Sequence, residues 1–283
     1  MPDTTVAKIQ EWLRAHETEL LEQYQSLLRI PSIEAAPEPN APFGKENRLA
    51  LDLMLNLAES WGMKTKDLEG YCGYAEFGQG EKLITMFGHL DVVPVGPGWK
   101  FDPFSATIEN GYVYSRGATD DKGPTMAAFF AARAIKEVAP EIGARIRTVF
   151  GCNEESGFKC IEHYVKTEEP PTYGMAPDAG WPLIQAEKGI ATFVVKAKMP
   201  SGGLTLTSLV GGQRPNIVID SAVGTALVAA EFRAEIEEKL AKQWDKNLTV
   251  AFDGANLKLT ATGKAAHGSW PWGGDNAAVR ILR

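Results

Sequence analysis

Apolar residues at three- and four-residue spacing open the chain. Val6, Ile9, Trp12 and Leu13 form one stripe, and Leu20, Leu21, Tyr24, Leu27 and Leu28 another, so the first 30 residues are predicted helical. Pro31 ends the pattern, because the residue before a proline is pushed out of the helical region. Residues 34–44, with Pro37, Pro39 and Pro42, read as a loop. A second helix is expected from about Glu46 to Trp61, closing at Gly62. The period then changes. Leu83-Ile84-Thr85-Met86-Phe87 is a continuous apolar run that suits a strand covered on both faces. Residues 112–114 and 145–151 read as further strands, the alanine-rich stretch 124–138 as a helix with Pro124 in its first turn, and 157–166 as a short helix.

This alternation predicts an α/β fold with a mixed, largely parallel sheet and flanking helices. After about Glu187 the texture shifts. Residues 192–198 and 204–209 read as strands and 221–242 as a long amphipathic helix. Residues 248–252 and 257–261 read as a hairpin around Asp253-Gly254. That order predicts a separate α+β module, with a boundary that gives 1–187 and 188–283. No internal repeat or low-complexity tract is visible.

Composition narrows the function. At 283 residues and 44% hydrophobic the chain has the make-up of a globular protein of about two domains, which excludes wholesale disorder. A net charge of -7, from 29 basic and 36 acidic residues, argues against a nucleic-acid partner. Cys72, Cys152 and Cys160 are too few and too scattered for a disulfide framework or a thiolate metal site, and are expected to be buried free thiols. The first residues lack a basic region followed by an apolar run, and no apolar stretch approaches 18 residues. The expectation is a cytoplasmic protein without a membrane partner.

Four polar clusters fall where loops should follow strands, the usual place of ligand sites in an α/β sheet. The first is Gly88-His89-Leu90-Asp91-Val92-Val93-Pro94. His89 and Asp91 point the same way in extended backbone, and a metal-binding histidine usually has a carboxylate fixing its tautomer. A loop histidine paired with a surface aspartate would give the same string. The second cluster, residues 116–124, sets Asp120 and Asp121 at a predicted helix start, where carboxylates are favourable with or without a function. The third is Asn153-Glu154-Glu155-Ser156-Gly157. Adjacent carboxylates there can divide into a metal ligand and a general base, though charged pairs are also common at strand ends. The fourth, residues 176–182, holds Asp178, which fits turn chemistry as well. Together, one histidine and several carboxylates on successive loops are the inventory of a metal-assisted hydrolase. No Gly-x-Ser-x-Gly elbow, His-Glu-x-x-His, Walker loop or Gly-x-Gly-x-x-Gly competes.

The strings GHLDVVPVGPGW, SRGATDDKGP, NEESG and APDAGWP, in that order, resemble the signatures of the di-zinc aminoacylase, carboxypeptidase and dipeptidase superfamily. The resemblance covers about residues 10–283 and is strongest to PepV-like dipeptidases, relatives of the carnosinases. It implies that His89 binds one zinc with Asp91 behind its imidazole, and that Asp120 bridges two metals. It further implies that Glu154 is the general base, Glu155 binds the second zinc and Asp178 completes the first, with a cis peptide between Asp120 and Asp121. Zinc suits one histidine plus carboxylates, and cobalt or manganese could use the same ligands.

The second module resembles the lid domain inserted into the catalytic domain of these enzymes. In Gly263-Lys264-Ala265-Ala266-His267-Gly268-Ser269, His267 matches the lid histidine that reaches the active site and stabilises an oxyanion. Asn216 matches a substrate-contacting asparagine, less specifically. His16 and His163 lie outside every motif and read as surface or packing residues. Family members continue past residue 283, where a late histidine completes the second metal site, so the lid is expected to be incomplete and this segment inactive alone. The implied activity is hydrolysis of dipeptides or short peptides, by a monomer or homodimer. The alternatives are an N-acyl amino-acid amidohydrolase (a deacetylase or desuccinylase) and a non-catalytic metal-binding homologue.

Overall fold

A computed structural model describes residues 3–96, 98–180, 182–189, 191–196, 203–212, 214–242 and 245–283. Two helices, rather than one, cover the first thirty residues: α1 (Asp3–Ala15) and α2 (Glu17–Leu28). The break falls at His16, whose ring stacks on Trp12 at 3.7 Å and donates from Nδ1 to the Trp12 carbonyl at 2.7 Å. Helix α3 (Lys45–Ser60) follows the proline-rich loop, entered through Gly44 at φ 95. There a Cβ would lie 2.7 Å from that of Ala35, so glycine is required twice over.

Strands β1 (Lys64–Leu68) and β2 (Cys72–Gly78) lie outside the sequence expectation. The first is a short, lysine-bearing edge with little apolar signal, and the second is interrupted by Gly73 and Glu76. Strand β3 (Leu83–His89) extends the expected apolar run by two residues. The small hairpin β4 (Thr107–Glu109) and β5 (Tyr112–Tyr114) precedes helix α4 (Lys122–Val138). Then come β6 (Arg145–Gly151), α5 (Lys159–Thr167) and β7 (Tyr173–Met175). The sheet order is β1-β2-β6-β3-β7, parallel across β6, β3 and β7 and antiparallel at the β1-β2 side. It is the mixed α/β sheet that the alternation predicts.

The core lies between this sheet and the helices. Leu27, Leu28, Met54, Met126, Phe129, Phe130 and Phe150 are buried there. Trp61 packs on Phe129 and Phe130 at 4.7 and 5.0 Å, and Phe129 meets Phe150 edge-on at 5.0 Å. A smaller cluster of Cys72, Tyr74, Val149, Cys160 and Tyr164 is also buried. Beside it the buried guanidinium of Arg147 is satisfied by Glu76 at 2.7 Å, the Tyr164 hydroxyl at 2.8 Å and the face of Tyr74 at 4.0 Å. All three cysteines are free and buried, as expected. Burial pushes the Cys160 thiol up to about 11 and raises those of Cys72 and Cys152 as well.

The chain divides into two compact units, Met1–Ile184 and Gln185–Arg283. In the second, β8 (Leu204–Gly211), β9 (Ser221–Val228), β10 (Leu248–Asp253) and β11 (Asn256–Thr262) form an antiparallel sheet in the order β10-β11-β9-β8. Helices α6 (Arg233–Ala241) and α7 (Ala277–Leu282) complete it. The long helix expected over 221–242 is corrected. Its first third is β9, with Ala222, Gly224, Ala226 and Val228 facing inward at period two, and only its end is helical. Small residues there make room for α7, since a Cβ on Gly224 would lie 2.9 Å from Ile281. Of the strand expected over 192–198, residues 192–196 carry no regular structure, and 197 and 198 lie outside the described residues. The hairpin around Asp253-Gly254 forms with Gly254 at φ 60. No described helix is long and apolar enough to cross a membrane.

Phe129 touches both the helical and the sheet layer, so Phe129→Ala is expected to cost about 3–5 kcal/mol of stability. Denaturant unfolding followed by circular dichroism would check this, with a lower midpoint at an unchanged slope.

Candidate active site

Three parallel strands deliver the polar strings to one end of the first unit's sheet. In the ladder, His89 at the end of β3 faces Gly151 at the end of β6, and Leu90 donates to the Gly151 carbonyl at 2.8 Å. Glu154 and Glu155 follow β6, Asp178 follows β7, and Asp120 and Asp121 immediately precede α4. Gly88 lets the start of α4 press against β3, because a Cβ there would lie 2.0 Å from Thr125 Oγ1. Asp121 fills that contact: its Oδ2 accepts the His89 backbone N–H at 3.1 Å and the Thr125 hydroxyl at 2.7 Å.

His89 is buried, and its imidazole is held from both sides. Nδ1 donates to the backbone carbonyl of Asp91 at 2.9 Å. A carbonyl can only accept, so Nδ1 carries a hydrogen and Nε2 faces the carboxylates. Around Nε2 stand Asp120 Oδ1 at 3.1 Å, Asp178 Oδ2 at 3.4 Å and Glu154 Oε2 at 3.8 Å. The Asp91 carboxylate lies 3.5 Å from Nδ1 and is also gripped by backbone. Oδ1 accepts the N–H of Glu154 and Oδ2 that of Glu155, each at 3.0 Å. The peptide bond between Asp120 and Asp121 is cis.

Crowded acids raise one another's pKa values. Burial, then Asp120 and the other carboxylates, pushes Glu155 up to about 7. Burial also raises Glu154, against the pull of His89, and pushes Asp121 up to about 7. For His89, burial disfavours the charge, but hydrogen bonds to Asp120, Asp178 and Asp91 outweigh it and raise the pKa. Arg116 is a nearby cation. It donates to the Pro94 and Val95 carbonyls at 3.2 and 3.4 Å and lies over the Trp99 ring at 5.3 Å. Burial lowers its pKa, opposed by Glu155 and Asp120.

This donor set fits a divalent metal. One ligand atom each from His89, Glu154 and Asp178 lie within 4.8 Å of one another. Donors about 2 Å from a tetrahedral zinc stand about 3.3 Å apart, close to the spacing of the Asp120 and Asp178 oxygens from Nε2. Asn216 and His267 lie in the second unit. There Ile217 bridges to His267, the Asn216 carbonyl accepts from Gly268 at 2.5 Å, and His267 Nδ1 meets Ser269 Oγ at 2.6 Å. Sequence reasoning passed over Lys122 and Arg116, although both lie inside a quoted string. A lysine at the first position of a helix runs against the dipole, which is a signal of a tertiary partner.

Residues 86–266 match the model of peptidase family M20/M25/M40. The chain belongs to this family. It is 39% identical over 272 residues to "Putative dipeptidase YtjP" of Bacillus subtilis (strain 168), covering 93% of this chain and 58% of that protein. With "Putative dipeptidase SSP1012" of Staphylococcus saprophyticus the identity is 37% over 279 residues, covering 95% of this chain and 60% of the other. This M20/M25/M40 chain therefore spans less than two thirds of the length of the curated relatives it matches. Its fold is shared with human carnosine dipeptidase 1, at a TM-score of 0.52, 23% identity and coverage of 62% and 41% of the two chains. It is shared too with the di-peptidase Dug1p of Saccharomyces cerevisiae, at a TM-score of 0.53, 17% identity and coverage of 90% and 55%.

The carboxylates of Asp120, Asp178 and Asp91 favour a protonated His89 imidazole, so a metal binding at Nε2 competes with a proton there. Binding of Co2+ or Zn2+ is expected to release protons and to weaken as the pH falls through about 7, where Glu155 protonates. Calorimetry in buffers of different ionisation enthalpy counts the protons. Binding with no proton release would contradict the assignment of Nε2.

Proposed function

We propose that this protein hydrolyses the amide bond of dipeptides or short peptides with a divalent metal, in a catalytic domain (1–187) carrying a lid (188–283). The observation that carries the reading is the convergence of Asp120, Glu154 and Asp178 on His89 Nε2, from loops that sequence places far apart. His89, Asp120 and Asp178 would hold a first ion, zinc by preference, with cobalt or manganese as substitutes. Asp120 and Glu155 would hold a second. When bound, such ions supply Lewis-acid polarisation of a carbonyl and lower the pKa of nearby water.

The chain's own part in the reaction is proton transfer and orientation. Glu154 is the most distant of the three carboxylates from Nε2, which supports a proton carrier rather than a ligand. A raised pKa suits it to take a proton from the attacking water and pass it to the leaving amine. Asp91 holds the Glu154 and Glu155 backbone, so base and ligand keep fixed places. His267 would donate to the developing oxyanion and Asn216 would contact the substrate, both assigned from the sequence resemblance. The second position has two assigned donors where zinc normally needs three, so the 283-residue chain is expected to hold one tightly bound ion.

Glu154→Gln in the complete gene product is expected to keep its metal and lose about 100- to 10,000-fold in turnover. Glu155→Ala should lower metal content. Metal analysis alongside a panel of dipeptides and N-acetylated amino acids separates the outcomes. Turnover on the acylated set alone would make the enzyme an amidohydrolase, and bound metal without turnover a binding homologue.

A further inference from the structure

Lys122 is fully buried, yet it opens helix α4. A cation in the first turn opposes that helix's dipole, and a buried ammonium needs partners. It finds them on another helix. Nζ donates to the Leu27 carbonyl at 3.1 Å and the Ile30 carbonyl at 2.6 Å, at the C-terminal end of α2, where the dipole favours a cation.

The same end of α2 holds the Asp120 loop at a second point, where the Tyr24 hydroxyl donates to the Ala118 carbonyl at 2.6 Å. The residues that follow reach the His89 loop. Ser32 Oγ donates to the Leu90 carbonyl at 2.6 Å, and Val92 N–H donates to the Ser32 carbonyl at 3.0 Å. The loops bearing His89 and Asp120 are thus both tied to residues 24–32, which carry none of the assigned chemistry.

We propose that Lys122 is a positioning residue, whose bonds to the Leu27 and Ile30 carbonyls fix the loop that aims Asp120 at His89. The end of α2 then sets the spacing of these two donors. The proposal rests on reading His89 and Asp120 as metal donors. Its competitor is packing alone, since the Lys122 stem lies 3.2 Å from where a Cβ on Gly117 would be.

Lys122→Met separates the two, because it keeps an unbranched apolar stem and removes the donors. The 283-residue chain is titrated with Co2+, following the visible absorption of the bound ion, with thermal unfolding measured in parallel. Loss of a partner behind a ligand typically costs about 10- to 100-fold in metal affinity. Lys122→Met is expected to lose affinity by that factor, with an altered Co2+ spectrum and a melting temperature at or above the parent's, since it removes a buried charge. Tyr24→Phe should shift affinity the same way by less, and it carries the test if Lys122→Met does not fold. A folded Lys122→Met, or failing that Tyr24→Phe, with the parent's affinity and spectrum overturns the proposal and leaves the metal reading standing. A parent chain that takes up no Co2+ brings down the metal reading and the proposal with it.

Discussion

Asp91 is the constraint on which the site depends. Its two carboxylate oxygens grip the backbone N–H groups of Glu154 and Glu155, and its carbonyl orients His89. One residue thus joins the loop after β3 to the loop after β6. The need is electrostatic. Two unit charges 4 Å apart repel by about 4 kcal/mol at an effective dielectric of 20, and several carboxylates crowd one imidazole here. Side chains free to turn would swing apart, whereas the Glu154 and Glu155 backbone donors are held by Asp91 a few residues past the β3–β6 ladder.

The parallel register of β3 on β6 makes this geometry available. It sets His89 beside Gly151, so Asp91 and Glu154 are two and three residues past a matched pair. Gly88 does the corresponding work for α4, letting Asp121 reach the His89 backbone. The members of the site stand at the end of β3 or within four residues of a regular element.

Much of this was legible in the sequence. The apolar run into His89 announced a covered strand, and the strings holding Asp120, Glu154 and Asp178 stood where loops had to be. What stayed hidden was tertiary. Strand β1 is an exposed polar edge, and β2 breaks its own pattern with Gly73 and Glu76. In β9, alanine and glycine imitate a helix, because their smallness answers to α7 lying on that face. The Asp91 carboxylate stands 3.5 Å from the imidazole Nδ1 and also grips the next loop. Spacing placed the residue but could not tell which neighbour its oxygens would reach. Lys122 was invisible for the same reason, its partners lying more than ninety residues earlier.

The buried cysteines have a consequence for which ions this chain can attract. Cys152 lies only two residues before Glu154, yet its sulfur is enclosed and its thiol is held protonated. The atoms gathered around His89 are oxygens and imidazole nitrogen, hard to borderline donors, with the cysteine thiols sealed inside the fold. An ion arriving at this end of the sheet therefore meets no open cysteine thiolate, and the carboxylates and imidazole set the terms of its binding.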